Sequence, residues 1–219
     1  MQFNFFDPST LDMWKPIIQN FDRTVVFQTD PFFAECRANA RILEVDENQK
    51  EKIALLCLGY LLLWEEDRRI LEEQYSIDFE EWHGMDLEEQ YGMDINEQYG
   101  KELWPSRRRC PVRAIVKELP SETPGINTNS VKMILSNIKQ LNNWGIYHRD
   151  IQIFNLRGGK FIDFESAVTE PHWIMHSKDE HQAEEIKAGD LVMFDEMIKD
   201  EGIETEYGMT LRSQAKKVG

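Results

Sequence analysis

Apolar residues in this chain recur with several different spacings, and each spacing predicts an element. Val131, Ile134, Leu135, Ile138 and Leu141 lie three and four apart, on one face of a helix. Asn127 to Ser130 offer caps before it, and Gly145 stands where a helix closes. A second helix begins at Asp30-Pro31, an acidic N-cap followed by proline at the first helical position, and is expected to run to about Glu44. A third, at roughly Ala183 to Ile198, carries Leu191, Phe194 and Ile198 on one side.

Ile53 to Trp64 is nearly continuous in apolar residues and broken by Gly59. It reads as a buried strand or a pair of short ones, with a buried helix as the competing reading. Phe3 to Phe6 and Val112 to Leu119 read as further strands, the latter broken by Pro120 to Gly125. Leu156, then Arg157-Gly158-Gly159-Lys160, then Phe161-Ile162 reads as a hairpin. The mixture predicts an α+β fold.

Between these elements the pattern changes. From Glu73 an eight-residue repeat runs through Glu81, Glu89 and Glu97, with Tyr75, His83, Tyr91 and Tyr99 in register, followed by Asp78, Asp86, Asp94 and Glu102. At 3.6 residues per turn, successive copies rotate by about 80°, so no continuous apolar stripe forms. Glu72 to Glu102 holds eleven carboxylates against one lysine, Lys101. The expectation is a solvated or partly disordered acidic insert at about 65–111. A partial copy recurs at Glu204 to Leu211. Arg107-Arg108-Arg109 follows the repeat and is expected to balance its carboxylates, a phosphate or nucleic-acid contact being the alternative.

Composition narrows the function. A net charge of -15 argues against general nucleic-acid or anionic-membrane binding and suits a basic protein partner. Cys36, Cys57 and Cys110 form no CxxC pair, so neither a disulfide framework nor a zinc site is expected, and a reducing compartment is implied. The start of the chain lacks the basic region of a signal peptide, and the twelve residues Ile53 to Trp64 fall short of the ~20 that cross a bilayer. A nuclear or cytoplasmic protein is expected.

The candidate chemistry lies in Gly145 to Ala167. It contains His148-Arg149-Asp150, then Asn155, then Asp163-Phe164. Phosphoryl transfer needs a carboxylate to orient a hydroxyl and hard oxygen ligands to hold Mg²⁺ against phosphates. Asp150 suits the first task as catalytic base; Asn155 and Asp163 suit the second, brought to neighbouring strand ends by the hairpin.

This set resembles the catalytic loop and metal-binding motif of protein-kinase-like proteins. Asp30 to Ala38, Val112 to Leu119 and Thr169-Glu170-Pro171-His172 resemble, more narrowly, a fungal kinetochore-subunit family that carries such a domain. The resemblance implies a two-lobed protein-kinase-like fold: a small lobe over 1–119, truncated at its N-terminus and carrying the insert, and a short helical large lobe over 120–219, with Pro120 to Gly125 as the hinge. It implies ATP and Mg²⁺ as cofactors, Glu35 as the helix acid and Lys15, the only early lysine, as its nucleotide-binding partner. The alternative for Glu35 is an ordinary solvated glutamate in the first helical turn.

The chain departs from that pattern. No glycine precedes Gly59, so the glycine-rich loop over the phosphates is missing; either the natural N-terminus lies upstream or nucleotide is not gripped in the usual manner. Glu165 stands where kinases usually have glycine, and only 56 residues follow Asp163. His148 is expected to be a packed core residue, and His172 a turn residue. One reading is a non-catalytic or weakly active interaction protein with protein partners; the other is an active ATP/Mg²⁺-dependent phosphotransferase.

Overall fold

The computed structural model describes residues 2–4, 27–46, 50–76, 112–203 and 205. Its elements, in chain order, are β1 (Gln2–Asn4), α1 (Pro31–Val45), β2 (Cys57–Leu63), α2 (Glu65–Tyr75), β3 (Val112–Lys117), α3 (Val131–Asn143), β4 (Ile146–Tyr147), β5 (Leu156–Arg157), β6 (Lys160–Phe161), β7 (Val168–Thr169), α4 (Trp173–Ser177) and α5 (Glu180–Asp200). The fold is mixed α+β with small sheets. The chain divides into two compact units: Met1–Phe32 with Leu58–Lys117, and Phe33–Cys57 with Glu118–Gly219.

In the first unit a three-stranded sheet has the order β1-β3-β2. β1 pairs antiparallel with β3, Gln2 opposite Ile115 and Asn4 opposite Arg113. Leu63, Val112 and Ala114 form a small core, joined by Leu71 of α2. Asp30 caps α1 as its sequence requires: one carboxylate oxygen accepts from the Phe32 amide at 2.9 Å, the other from Arg113 at 2.7 Å. The Arg113 guanidinium also lies 4.8 Å from the Phe32 ring centroid.

The expected acidic insert opens with an ordered helix. Asp67 accepts from the Trp64 amide, and Arg69 bridges Glu66 and Glu73, giving α2 local support on a surface with no buried residue. Ser76, at φ 54°, caps it. The remaining copies of the eight-residue repeat, like the recurrence at 204–211 apart from residue 205, lie outside the described residues.

The second unit has the larger core. Ala38 and Ile42 from α1, Ile134, Ile138 and Leu141 from α3, Leu156 and Phe161 from the hairpin, and Phe194 and Met197 from α5 are all buried together. The apolar run at 53–64 does split into two pieces. Its first part pairs with the hairpin, Phe161 N donating to Ile53 O at 2.9 Å and Leu55 N to Phe161 O at 3.0 Å. Its second part is β2, where the expected burial is found only at Leu63: Leu58, Tyr60, Leu61 and Leu62 are exposed.

The Pro120 to Gly125 break becomes a clamp on the β5–β6 turn. Thr123 O and Pro124 O accept from the amides of Gly158 and Gly159, both at 2.8 Å. The approach is so close that a Cβ on Gly125 would stand 2.6 Å from Gly158 backbone. Lys160, on β6, pairs with Glu118 at 2.5 Å, a contact that holds the Glu118 carboxyl below its usual range. Helix α3 buries the face its spacing predicts, and α4 and the β4–β7 pairing are additions the sequence pattern did not show.

Candidate functional site

The site is built where β4 delivers the chain into His148-Arg149-Asp150. Ile146 and Tyr147 are fixed by pairing with Thr169 and Val168, and Tyr147 donates its hydroxyl to Glu170 Oε1 at 3.2 Å. Burial, then the Glu170 charge, raises the Tyr147 pKa. Arg41 of α1 donates to the Glu170 backbone carbonyl at 2.9 Å, tying helix and loop together.

His148 is buried, its ring 4.9 Å from Phe161 and 5.0 Å from Phe164. Its Nδ1 accepts from the Asp150 amide at 3.3 Å, which leaves the proton on Nε2. Burial lowers its pKa to about 4, against the opposing charges of Asp163 and Asp150. It is a neutral packing residue at neutral pH, as the sequence suggested.

Arg149 adopts φ 64°, a left-handed conformation that costs a non-glycine residue ~1–3 kcal/mol. The compensation comes from Asp190 on α5, whose carboxylate accepts from the His148 amide at 2.8 Å and the Arg149 amide at 2.7 Å. Burial raises the Asp190 pKa, opposed by those two amides and the Arg149 charge. Sequence reasoning missed Asp190. Its signal was an acid set among the apolar positions of α5, beside Leu191 and one turn before Phe194, where a solvated carboxylate does not belong.

Asp150 is held on both oxygens. Oδ1 accepts from Gln152 Nε2 at 2.6 Å, and Oδ2 accepts from Asn155 Nδ2 at 2.8 Å. Asn155 Nδ2 also donates to the Asp150 carbonyl at 3.0 Å, so the amide nitrogen faces Asp150 and Oδ1 is the oxygen left for a cation. Asn155 ends a short 3-10 turn, Ile153–Asn155, and leads into β5.

The hairpin then does what its spacing predicts: Ile162 N donates to Asn155 O at 3.1 Å, so Asn155 and Asp163 flank neighbouring strand ends. Asp163 Oδ1 accepts from the Glu165 amide at 2.9 Å, which turns the chain just after the buried Phe164.

The remaining candidates separate. Glu35 is completely buried within α1, so it is not the solvated first-turn glutamate that was the alternative reading. Lys15 lies outside the described residues. His172 is buried, and its Nδ1 accepts from the Ile174 amide as the cap of α4. Among the described residues no cluster of three or more His, Cys, Asp or Glu is placed to hold a metal ion, and no helix is long and apolar enough to cross a membrane.

No curated protein and no solved structure matches the chain. A family model does, that of the kinetochore Sim4 complex subunit FTA2, over residues 4–168. The match takes in the capped start of α1, β3 and the whole His148 to Phe164 loop, well over half of the sequence, and on that basis the chain belongs to the kinetochore Sim4 complex subunit FTA2 family.

Proposed function

We propose that this chain is a protein-binding subunit of a kinetochore complex, at work in the nucleus, whose second unit keeps a protein-kinase-like loop as a rigid scaffold rather than for turnover. Family membership carries the kinetochore role. The scaffold reading is carried by Asp190: a buried acid on a distant helix is spent on two loop amides, holding Arg149 left-handed and the chain in one shape. Asp150 is likewise engaged on both carboxylate oxygens by side chains of its own loop.

A second reading keeps the chemistry, and the orientation of Asn155 favours it. With Nδ2 turned to Asp150, the Asn155 Oδ1 and the second oxygen of Asp163 are hard donors at two ends of one hairpin, a set that fits Mg²⁺. Bound there with ATP, the ion would neutralise phosphate charge; Asp150 would orient an acceptor hydroxyl, and Asn155 would keep Asp150 in place.

Incubation of purified protein with Mg-ATP and generic acceptors separates the two. Phosphotransfer indistinguishable from that of Asp150→Asn is expected. Transfer that Asp150→Asn lowers by about 100-fold or more, the usual loss for a proton-handling group, would replace the scaffold reading with the catalytic one.

A further inference from the structure

Between α1, α4, α5 and the turn after β7 lies a groove of about 450 Å³, within the size range of ligand-binding clefts, roughly 300–1,000 Å³. It is lined by Glu170 and Pro171 after β7, Met175 of α4, Ala183 and Lys187 of α5 and Arg41 of α1. His172 and His176 complete the lining, so all eight residues around it are described ones of the second unit.

The charges of this lining do not cancel within it. Arg41 donates to Glu44 at 2.8 Å and to the Glu170 backbone carbonyl at 2.9 Å. Lys187 pairs with Glu184 at 2.8 Å. Both cations are therefore turned to partners other than the one carboxylate of the lining, that of Glu170. Half-buried, it accepts at Oε1 from the Tyr147 hydroxyl, and among the described residues no Lys or Arg pairs with it. Its charge is felt by its neighbours. The bond and charge of Glu184, and behind them the charges of Glu170 and Glu180, raise the Lys187 pKa. His172 adds no charge, because its Nδ1 accepts from the Ile174 amide at 3.2 Å. The groove thus offers an unmatched negative charge beside the apolar surfaces of Pro171, Met175 and Ala183.

A side chain that suits it is long, apolar for most of its length and positive at its tip. Lys and Arg have that construction, and Arg can meet a carboxylate with two donors. We propose that this groove receives a Lys or Arg side chain from a segment of a partner protein, the stem against Pro171, Met175 and Ala183 and the head on Glu170. This rests on the reading of the chain as a protein-binding subunit and names the chemistry that one of its contacts recognises. An acidic segment is the poorer occupant: it would set like charge against Glu170 and would have to displace Glu44 and Glu184 from the two cations.

The test titrates the full chain, its methionine methyl groups isotope-labelled for NMR, with acetylated and amidated Ala-Ala-Arg-Ala-Ala. The same peptide with Glu at its centre is the control, and Met193, on α5 and outside the groove lining, is the internal reference. The Met175 signal should move saturably with the Arg peptide and not with the Glu peptide, while Met193 stays. No movement of Met175, or equal movement with both peptides, would overturn the proposal. So would a Met175 shift produced without peptide by Arg212→Gln, Lys216→Gln and Lys217→Gln together, which would put this chain's own residues 206–219 in the groove.

Two further variants read the sign of the charge. Glu170→Gln keeps an acceptor for Tyr147 and removes the charge; it should weaken binding of the Arg peptide about tenfold with the melting temperature unchanged. Lys187→Gln removes a like charge and should tighten binding about twofold. Weaker binding with Lys187→Gln, or unchanged binding with Glu170→Gln, would overturn the assignment of a basic side chain. If the Arg peptide binds as expected while the chain is not recovered with kinetochore subunits from cells, the groove assignment stands and the kinetochore reading fails. If the chain is recovered with them but no peptide moves Met175, only the groove assignment fails.

Discussion

Asp190 is the residue on which the loop geometry turns. Replacing it with alanine removes the acceptor of two amides at once, and each unsatisfied group costs ~1–3 kcal/mol. Asp190→Ala should therefore destabilise the fold by about 2–4 kcal/mol in urea unfolding. Loss below ~0.5 kcal/mol would mean that Arg149 holds its left-handed conformation without help.

His148 predicts a pH dependence of definite sign. Its folded pKa, about 4, lies below the ordinary 6.5, so between those values the unfolded chain binds the proton and the folded chain does not. Its contribution is complete above pH 6.5 and is lost as pH falls toward 4, amounting to about 3 kcal/mol. Asp190 contributes with the opposite sign, since burial raises its pKa above the ordinary carboxylate value. Comparing wild type with His148→Asn isolates the histidine: the rise in stability from pH 4 to 6.5 should flatten in the variant. The local geometry of the loop was legible: His148 is buried, and the hairpin brings Ile162 against Asn155. Asp190 was not, because a contact spanning 42 positions leaves no local pattern.

At the scale of elements, periodicity carried the helices well. The buried face of α3 is the one its three-and-four spacing marks, and α1 starts at Asp30-Pro31 because cap and proline act within one turn. The hairpin followed from Gly158 and Gly159, which take positive φ. What the pattern did not show was the clamp: Pro120 to Gly125 reads as a chain break, yet its carbonyls grip the turn. Gly125 permits that approach, at φ 74° and with no room for a side chain. Gly125→Ala should cost about 2 kcal/mol or more, from left-handed strain and overlap with Gly158. Gly189→Ala, inside α5 with nothing within 4 Å of an added Cβ, should stabilise by about 1 kcal/mol. Thermal melting of the two variants checks both signs.

Strand β2 misled for a different reason. An apolar run without alternation reports that both faces are to be covered, and not by what. Among the described residues only Leu63 of β2 enters the core, and Leu58 and Tyr60 are exposed.

For the whole molecule, kinetochore-family membership is the finding, and the proposal built on it is that the protein works by binding other proteins, with its second unit keeping a protein-kinase-like loop for shape. On that proposal, the net charge of -15 suits basic partners. The two-lobed arrangement implied by the resemblance stays a proposal alongside the nucleotide and Mg²⁺ it would hold. Ligand binding to the folded state raises its stability by RT ln(1 + [L]/Kd), so even weak nucleotide binding is visible in the melting temperature. Melting the wild type and Asp163→Ala with and without Mg-ATP is the most direct test. The account predicts no nucleotide-linked rise in either protein. A rise in the wild type that Asp163→Ala abolishes would contradict it and return Asn155 and Asp163 to the role of metal ligands.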